Sequence, residues 1–436
     1  MKKFFCIVLC VMTLFAFAAC GSKADPASFP ATSEQLTQSM LDGDFQSVVA
    51  LGDSTFKRNL TPEVLQMQWE QFTDGIGEYD GIIDTKVSSE GGYTVIEQMN
   101  SFPHINLKLT YTFNDTDGTL AGLWTTTVSK PIEPQSTDAY EEIPITLGKE
   151  NPLDGLITMP KGGTNLPAVV LVHGSGANDM DETIGTGGNK PLADIAHGLA
   201  EQGIASIRYN KVTNQYPNAV SAAELTIEYE VLNDASAAYA LLAEYEGIDP
   251  SKVFIIGHSL GGMMAPKLTE LTGAAGYASL GGSPRHFADI IYDQNVNVIE
   301  EADASDEEKE LALAQVAGMV DAAKNAVAGD PTILLGYSGH YWASYNALDM
   351  KNVIESLTVP AFIAQGTDDF QIYADKDFTA WQELLPDRDT VDFQLYDGLN
   401  HLFMKSNGKT DITEYNPSAH VQQAVIDDIA GFIGNQ

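Results

Sequence analysis

The sequence is poor in cysteine, in basic residues and in long apolar runs. Only three cysteines occur among 436 residues, and all of them lie within the first twenty positions. The remainder of the chain therefore cannot form an internal disulfide, and its stability must come from packing, which its length permits. After those first positions no run of about 18 apolar residues occurs, so no internal segment is expected to span a membrane.

Basic charge is scarce as well. Lysine and arginine total 23 against 60 aspartate and glutamate residues, which leaves a formal net charge of −37. Such a chain repels nucleic acid and anionic headgroups at long range, so no nucleic-acid partner is expected. Metal-binding motifs are also missing: the sequence has no H-E-x-x-H, no paired C-x-x-C and no histidine cluster. Neither a metal nor another cofactor is therefore expected.

The first twenty residues have the pattern of an export signal. Two lysines, an apolar stretch and a pair of alanines precede Cys20. This resembles a bacterial lipoprotein signal, in which the cysteine thiol receives a diacylglycerol and becomes the new N-terminus. The resemblance implies a signal peptide over 1–19, lipidation of Cys20, a short tether over 20–31, and an extracellular protein held at the cell membrane through lipid alone. The alternative is an ordinary cleaved signal followed by an unpaired cysteine.

The segment after the tether predicts a small α+β domain over 32–130. Apolar residues at helical spacing predict one helix over 33–51, and a second begins at Thr61, where a proline follows. Apolar and polar residues alternate over 105–113, and a return strand after a turn completes an antiparallel pair. The domain is thus expected to hold two helices and an antiparallel sheet.

A proline-marked linker over 131–140 leads to a second domain, 141–436, in which apparent strands and helices alternate. Continuous apolar runs such as 168–172 and 361–365 are typical of strands buried on both faces, so they predict a mostly parallel sheet with helices on both sides. A stretch with helical spacing and a capping box, about 284–350, predicts a helical cap over one edge of this sheet. The expected class is α/β.

The motif G-H-S-L-G over 257–261 follows one of the buried runs and precedes a helical segment. A strand–turn–helix of the form G-x-S-x-G holds its serine in a strained conformation, and the glycines remove side chains that would clash there. We therefore hypothesise that Ser259 is a nucleophile. The alternative is a glycine-rich turn with an inert serine.

A nucleophilic serine needs a base and an orienting carboxylate, which hydrolases with this turn supply in the chain order serine, acid, histidine. His401 follows the last predicted strand and is the candidate base. Asp368 and Asp369 both follow the preceding strand, and their position alone leaves either as the acid. The backbone N–H groups of Ser175 and Leu260 are candidates for an oxyanion hole.

Several of these segments together resemble a bacterial group of α/β-hydrolases that includes serine esterases and S33-aminopeptidase-like enzymes. The run D-F-Q-I at Asp369 resembles the group's D-[YF]-Q-V motif, which implies that Asp369 is the acid. The run over 173–176, with 181–183 after it, is similar to its oxyanion loop, and the run over 400–403 is similar to its histidine loop. The run over 208–211 resembles the end of its next strand. The resemblance implies an α/β-hydrolase fold with a helical cap, preceded here by what looks like a small domain of unknown function.

The predicted activity is hydrolysis of an acyl bond through a serine-linked acyl-enzyme, with a carboxylic ester the favoured substrate. An aminopeptidase, an amidase or a thioesterase of the same fold stays open, and the expected partner is a small ester or a small peptide. A hypothesis of another class is a surface binding module with an inactive triad. Tyr341, Trp342 and Tyr345 are candidates to line the substrate pocket; the alternative is packing within the cap.

Overall fold

A computed structural model describes residues 24–386 and 388–436. The predicted signal peptide, Cys20 and the first part of the tether lie outside the described residues. Within the described ranges no helix has both the length and the apolar character that a bilayer crossing requires. The described chain forms a small domain that ends with a strand at Ser129 and a larger domain whose first strand begins at Tyr140.

Four helices open the small domain: α1 (Phe29–Leu41), α2 (Phe45–Ala50), α3 (Ser54–Asn59) and α4 (Pro62–Thr73). The prediction of one helix over 33–51 is wrong, because the chain turns at Gly43, whose φ is 78°. Asp44 then caps α2 by accepting from the Ser47 amide, and Asp53 caps α3 in the same way. The expected two helices are thereby corrected to four.

These helices pack on an antiparallel sheet made of β1 (Gly81–Glu90), β2 (Tyr93–Ser101), β3 (Ile105–Asn114) and β4 (Leu120–Ser129), paired in that order. The predicted strand over 105–113 corresponds to β3, and its return strand to β4. Every second residue of β3 from Leu107 to Phe113 is buried against the helices. The sequence did not predict β1 and β2, since β1 is exposed along most of its length and lacks an apolar alternation.

The larger domain is built on an eight-stranded sheet. Its strands, together with a short hairpin formed by β11 and β12, are β5 (Tyr140–Leu147), β6 (Leu153–Pro160), β7 (Leu166–Val172), β8 (Ala205–Tyr209), β9 (Ile248–His258), β10 (Tyr277–Leu280), β11 (Ile333–Leu334), β12 (Tyr337–Ser338), β13 (Ala361–Gly366) and β14 (Val391–Tyr396). The spatial order is β14-β13-β10-β9-β7-β8-β6-β5. Only the pairings that involve β6 are antiparallel, and the other strands of this sheet run parallel.

Helices cover both faces of this sheet. The helices of the larger domain are α5 (Pro191–Glu201), α6 (Val212–Gln215), α7 (Asn233–Ala243), α8 (Leu260–Thr272), α9 (Phe287–Glu301), α10 (Asp306–Lys324), α11 (Gly339–Asn346), α12 (Met350–Ser356), α13 (Thr379–Leu384) and α14 (Gln423–Gly434). One apolar core packs α7 and α8 against the sheet, and a second packs α5 and α14 against the other face. The predicted α/β-hydrolase class is confirmed.

Helices α9 to α11 and the β11–β12 hairpin form an insertion between β10 and β13, where the sequence predicts a cap. Arg285 ties this cap to the core: its guanidinium lies 2.8 Å from Asp293 of α9 and 3.2 Å from Asp377, which precedes α13. Parallel strands carry their functional loops at their carboxyl ends, so the cap and the loops after β7, β9, β13 and β14 meet at one edge of the sheet.

The small domain contacts the larger one just after α4. The carbonyl oxygen of Asp74 accepts a hydrogen bond from Thr186 Oγ1, and the Asp74 carboxylate lies 3.5 Å from Lys409 Nζ. Gly188 lies so close to His104 that a β-carbon there would be 2.9 Å from the histidine Cβ. A cavity of about 1000 Å³ lies beside this contact, lined by β3, β4, the linker and residues near Asp179.

Candidate active site

Ser259 lies on a strained turn between β9 and α8. Its φ of 52° and ψ of −119° lie outside the regions that residues with a side chain prefer. The turn closes only with glycine beside it, because a β-carbon at Gly257 would lie 2.1 Å from the carbonyl oxygen of Gly261. Ser259 is half-buried. Leu260 lies in the first turn of α8, so its N–H has no acceptor within the helix.

The loops after β13 and β14 bring Asp369 and His401 together. His401 Nδ1 lies 2.6 Å from Asp369 Oδ2, and both residues are at most 5% exposed. Further donors fix the carboxylate: Gln365 Nε2 donates to Oδ2, and the amides of Gln371 and Ile372 donate to Oδ1. A carboxylate held by so many donors keeps one orientation, and it therefore sets the ring of His401 with Nε2 free for another partner.

His258 connects the serine turn to the histidine loop. Its Nε2 lies 2.9 Å from the carbonyl oxygen of His401, and the two rings are 4.7 Å apart. The hydrogen bonds of the described residues do not include one from Ser259 Oγ to His401 Nε2. Such bonds are commonly long in a hydrolase without substrate and shorten in its complex, so the predicted nucleophile and base remain compatible with this arrangement.

The loop after β7 contacts Ser259 from the other side. A β-carbon at Gly174 would lie 3.0 Å from Ser259 Cβ, so the glycine allows the loop to approach the serine. The Gly174 N–H donates to Glu182 at 2.6 Å and the Gly176 N–H donates to Glu230 at 3.3 Å. Among the described hydrogen bonds, none uses the N–H of Ser175, the residue between them.

His258 forms a buried pair with Glu182. Its Nδ1 lies 2.9 Å from Glu182 Oε2, while its Nε2 contacts the His401 carbonyl oxygen. Because a carboxylate and a carbonyl oxygen can only accept, His258 needs a proton on both ring nitrogens to form both bonds. Burial lowers the pKa of His258, but the Glu182 carboxylate, the His401 carbonyl oxygen and the Asp369 carboxylate together raise it by more, so the pKa lies above its usual value.

Glu182, Glu230 and Lys211 belong to the site although the sequence assigns them no role. Lys211 Nζ donates to Glu230 and to the Gly174 carbonyl oxygen, both at 2.9 Å. The resemblance covers the segments around Glu182 and Lys211, so a signal for these two was present. Glu230 stands in a π-helical turn, Glu228–Leu232, that no sequence pattern marks.

The predicted pocket residues lie in α11, within the cap. Tyr341 and Trp342 are fully buried and Tyr345 is 5% exposed, so none of them lines an open cleft in this structure. Trp342 and Tyr345 pack with Phe287, Tyr341 packs against Trp342, and the Trp342 indole N–H donates to the carbonyl oxygen of Leu334. In this structure the three residues therefore contribute to packing of the cap, the alternative that the sequence also allowed, and their assignment to a substrate pocket stays a prediction.

Ser259 lines neither of two cavities in the larger domain and at its contact with the small one. The larger is the interdomain cavity, and a second of about 440 Å³ lies beside the linker and Arg208. Within 24–386 and 388–436 no three histidine, cysteine, aspartate or glutamate side chains are grouped to hold a metal ion. What the site does contain is a serine on a strained turn, a carboxylate–imidazole pair and a loop with an unused N–H, the components of acyl transfer.

The chain is similar to one protein-family model and to several solved structures. A family model described as "Protein of unknown function (DUF3887)" matches residues 33–123, within the small domain. Among solved structures, Est1E from Butyrivibrio proteoclasticus superposes with a TM-score of 0.44 and 12% identity over 67% of this chain and 98% of that chain. A puromycin-hydrolyzing peptidase of Mycobacterium tuberculosis superposes with a TM-score of 0.42 and 16% identity over 80% and 47%. Because both TM-scores are low, neither likeness carries the assignment.

The family assignment rests instead on the sequence similarity to Esterase EstD of Thermotoga maritima. The two chains are 32% identical over 400 residues, which is 90% of this chain and 92% of that one. An alignment that leaves out only a tenth of this chain includes the cap and at least part of each domain. This chain therefore belongs to the family of Esterase EstD.

Proposed function

We propose that the protein is a carboxylesterase-like serine hydrolase in which Ser259 is the nucleophile, His401 the base and Asp369 the orienting acid. The observation that supports this most directly is the 2.6 Å bond between His401 Nδ1 and Asp369 Oδ2. That bond leaves Nε2 as the proton acceptor, on a loop held by His258 beside the Ser259 turn. The relationship to an esterase supports an ester as the substrate class.

The reaction follows from these positions. His401 Nε2 takes the proton of Ser259 Oγ as the oxygen attacks the carbonyl carbon of the ester. The oxyanion of the tetrahedral intermediate accepts from the N–H groups of Ser175 and Leu260, two donors fixed before the reaction begins. His401 then returns the proton to the leaving alcohol, and an acyl-Ser259 ester remains. Water, deprotonated by the same imidazole, releases the carboxylic acid and restores the serine.

The test uses the soluble chain from residue 24 onward, with Ser259→Ala as the matched variant. Both are treated with a fluorophosphonate and assayed on p-nitrophenyl esters and aminoacyl p-nitroanilides. Labelling that the variant loses, together with ester turnover, is the expected result. Labelling with turnover of nitroanilides alone would replace the esterase by a peptidase. A folded wild type that is neither labelled nor active would leave a binding module with an inactive triad.

We also propose that the chain is exported and held at the cell membrane by a lipid on Cys20. The support is the sequence before Cys20, and these residues lie outside the described part of the chain. Expression of the full chain in a bacterium with a lipoprotein-processing pathway should yield a membrane fraction whose N-terminal peptide carries a diacylglycerol on Cys20. Cys20→Ser should abolish the modification. An unmodified N-terminal peptide from the wild type would reject the proposal.

A further inference from the structure

The loop over 173–176 is held from two sides by carboxylates. Glu182 accepts the N–H of Gly174, and Glu230 accepts the N–H of Gly176. The N–H of Ser175 lies between these two bonds and has no partner among the described hydrogen bonds. We call Glu182 and Glu230 the carboxylate clamp. By occupying the flanking amides, the clamp leaves one donor of the loop available.

Each member of the clamp has its own buried cation. Glu182 is 1% exposed and pairs with His258, whereas Glu230 is 3% exposed and pairs with Lys211. A buried carboxylate without a partner is strongly disfavoured, so these cations are what allows the two carboxylates to stay ionised beside the loop. Lys211 also donates to the Gly174 carbonyl oxygen, which belongs to the same peptide unit as the Ser175 N–H.

The clamp also extends beyond the loop. Through His258, Glu182 is connected to the carbonyl oxygen of His401. Through the Tyr341 hydroxyl, which donates to its Oε2 at 2.7 Å, Glu230 is connected to the cap. A buried ion pair that served stability alone could be replaced by apolar residues without loss. The hydrogen bonds of Glu182 and Glu230 to two amides of one loop instead fix the position of the backbone N–H that lies between those amides.

We propose that Glu182 and Glu230 are positioning residues, which hold the loop so that the Ser175 N–H is the donor that meets the oxyanion. This inference rests on the proposed function, since it concerns the same reaction. A displaced donor weakens the transition state, where the oxygen is charged, far more than the substrate complex, where it is neutral. Loss of the clamp should therefore lower kcat and leave KM nearly unchanged.

Aspartate and glutamine variants of Glu182 and Glu230 distinguish an effect of geometry on kcat from an effect of charge. Glu182→Asp and Glu230→Asp keep the charge but withdraw the carboxylate by about 1.5 Å, the length of one carbon–carbon bond. Glu182→Gln and Glu230→Gln lose the charge but keep an oxygen that can accept the amide N–H. In Glu182→Gln, His258 needs only one proton, because the glutamine amide donates to Nδ1 and Nε2 still donates to His401.

If the clamp positions the donor, the aspartate variants should lose about tenfold to a hundredfold in kcat, as expected for a displacement of this size. The glutamine variants should lose less, at most a few-fold. The Ki of a trifluoromethyl ketone, which forms a tetrahedral adduct with the serine, should rise in each variant by the factor lost in kcat/KM. Glu142→Asp and Glu142→Gln are the matched controls, since Glu142 is a buried carboxylate paired with Arg208 outside this site, and they should leave kcat unchanged.

The reverse order, with glutamine worse than aspartate, would assign the two residues an electrostatic role and overturn the proposal. Equal kcat in all four variants and the wild type would overturn it as well. These results are distinct from a failure of the proposed function, which would show as a wild type that hydrolyses no ester, and in that case both proposals fall. A circular dichroism spectrum of each variant confirms that its kcat refers to folded protein.

Discussion

At the scale of single residues, two adjacent aspartates have very different surroundings. Asp369 is buried and accepts four hydrogen bonds, whereas Asp368 is exposed and accepts one from Thr367. Asp369→Asn should lower kcat by roughly 10³–10⁴-fold, because the amide cannot hold the His401 tautomer that leaves Nε2 unprotonated. Asp368→Asn, the matched control, should stay within about twofold of the wild type. Equal losses in the two variants, measured with a p-nitrophenyl ester, would reject the assignment of the acid.

The pair of His258 and Glu182 predicts a pH dependence of stability. The groups that face His258 are Glu182, His401 and Asp369, and the net effect is a folded-state pKa above the usual 6.5. The contribution of His258 to the free energy of unfolding is therefore complete below about pH 6.5 and is lost as the pH rises through the folded-state pKa. Urea unfolding between pH 6 and 9 should show this decline in the wild type, and a flatter curve in Glu182→Gln. Parallel curves for the two proteins would contradict it.

The candidate role of a residue could be predicted where a reactive side chain directly follows a predicted strand. Ser259 and His401 follow strands and carry side chains with few other reasons to be there, so the sequence identified both as candidates. Choosing Asp369 over Asp368 needed the resemblance, because burial does not show in a pair of identical neighbours. Glu182 and Glu230 could not be assigned a role, since their partners are backbone amides of a loop far from Glu230 in sequence.

At the scale of elements, the turn before α8 has no space for a β-carbon at Gly257. An alanine at Gly257 would bring its β-carbon 2.1 Å from a carbonyl oxygen and 2.2 Å from the carbonyl carbon of Gly261. Gly257→Ala should lower the free energy of unfolding by about 3 kcal/mol or more and abolish fluorophosphonate labelling. Gly318→Ala, in exposed α10 where a β-carbon would meet nothing within 4 Å, should instead stabilise by about 0.5–1 kcal/mol. A labelled and stable Gly257→Ala would contradict the packing of the turn.

Strands with a continuous apolar sequence were predicted, whereas a strand with few apolar residues was not. The runs at β7, β9 and β13 are buried on both faces, which leaves continuous apolar sequence to recognise. Strand β1 is an exposed edge with little apolar pattern, and it was not recognised. The break at Gly43 has the local signal of a glycine between two aspartates, but the apolar spacing on either side continues at the helical period and concealed it.

At the scale of the whole molecule, the small domain is connected to the active site through the loop that holds Tyr415 and Asn416. Tyr415 stacks on Phe370 at 5.6 Å and accepts from Gln371, the residues directly after Asp369. The adjacent Asn416 lies 3.5 Å from Asp74 of the small domain. The docking of the domains could not be predicted from the sequence, because it depends on single polar contacts between surfaces without a pattern. A change at the interface should therefore also affect the loop that carries Asp369.

Gly188→Ala and Gly203→Ala test that connection. Both glycines have a positive φ, 65° and 83°, so each alanine costs about 1–2 kcal/mol of backbone strain. Only at Gly188 would the new methyl meet the small domain, 2.9 Å from His104 Cβ. Gly188→Ala should therefore show a larger fall in melting temperature, a lower kcat and faster proteolysis within 131–140. Equal behaviour of the two variants would indicate that the domains do not depend on this contact.

The order of the strands has a consequence for synthesis. The strands made first, β5 and β6, form one edge of the large sheet, and the strands made last, β13 and β14, form the other, so the sheet grows mainly from edge to edge as the chain is translated. Ser259 is in place when little more than half of the chain exists, but Asp369 and His401 arrive only with the final strands. A nascent or prematurely terminated chain thus carries the serine without its base. On the proposed mechanism, hydrolysis therefore requires a nearly complete chain.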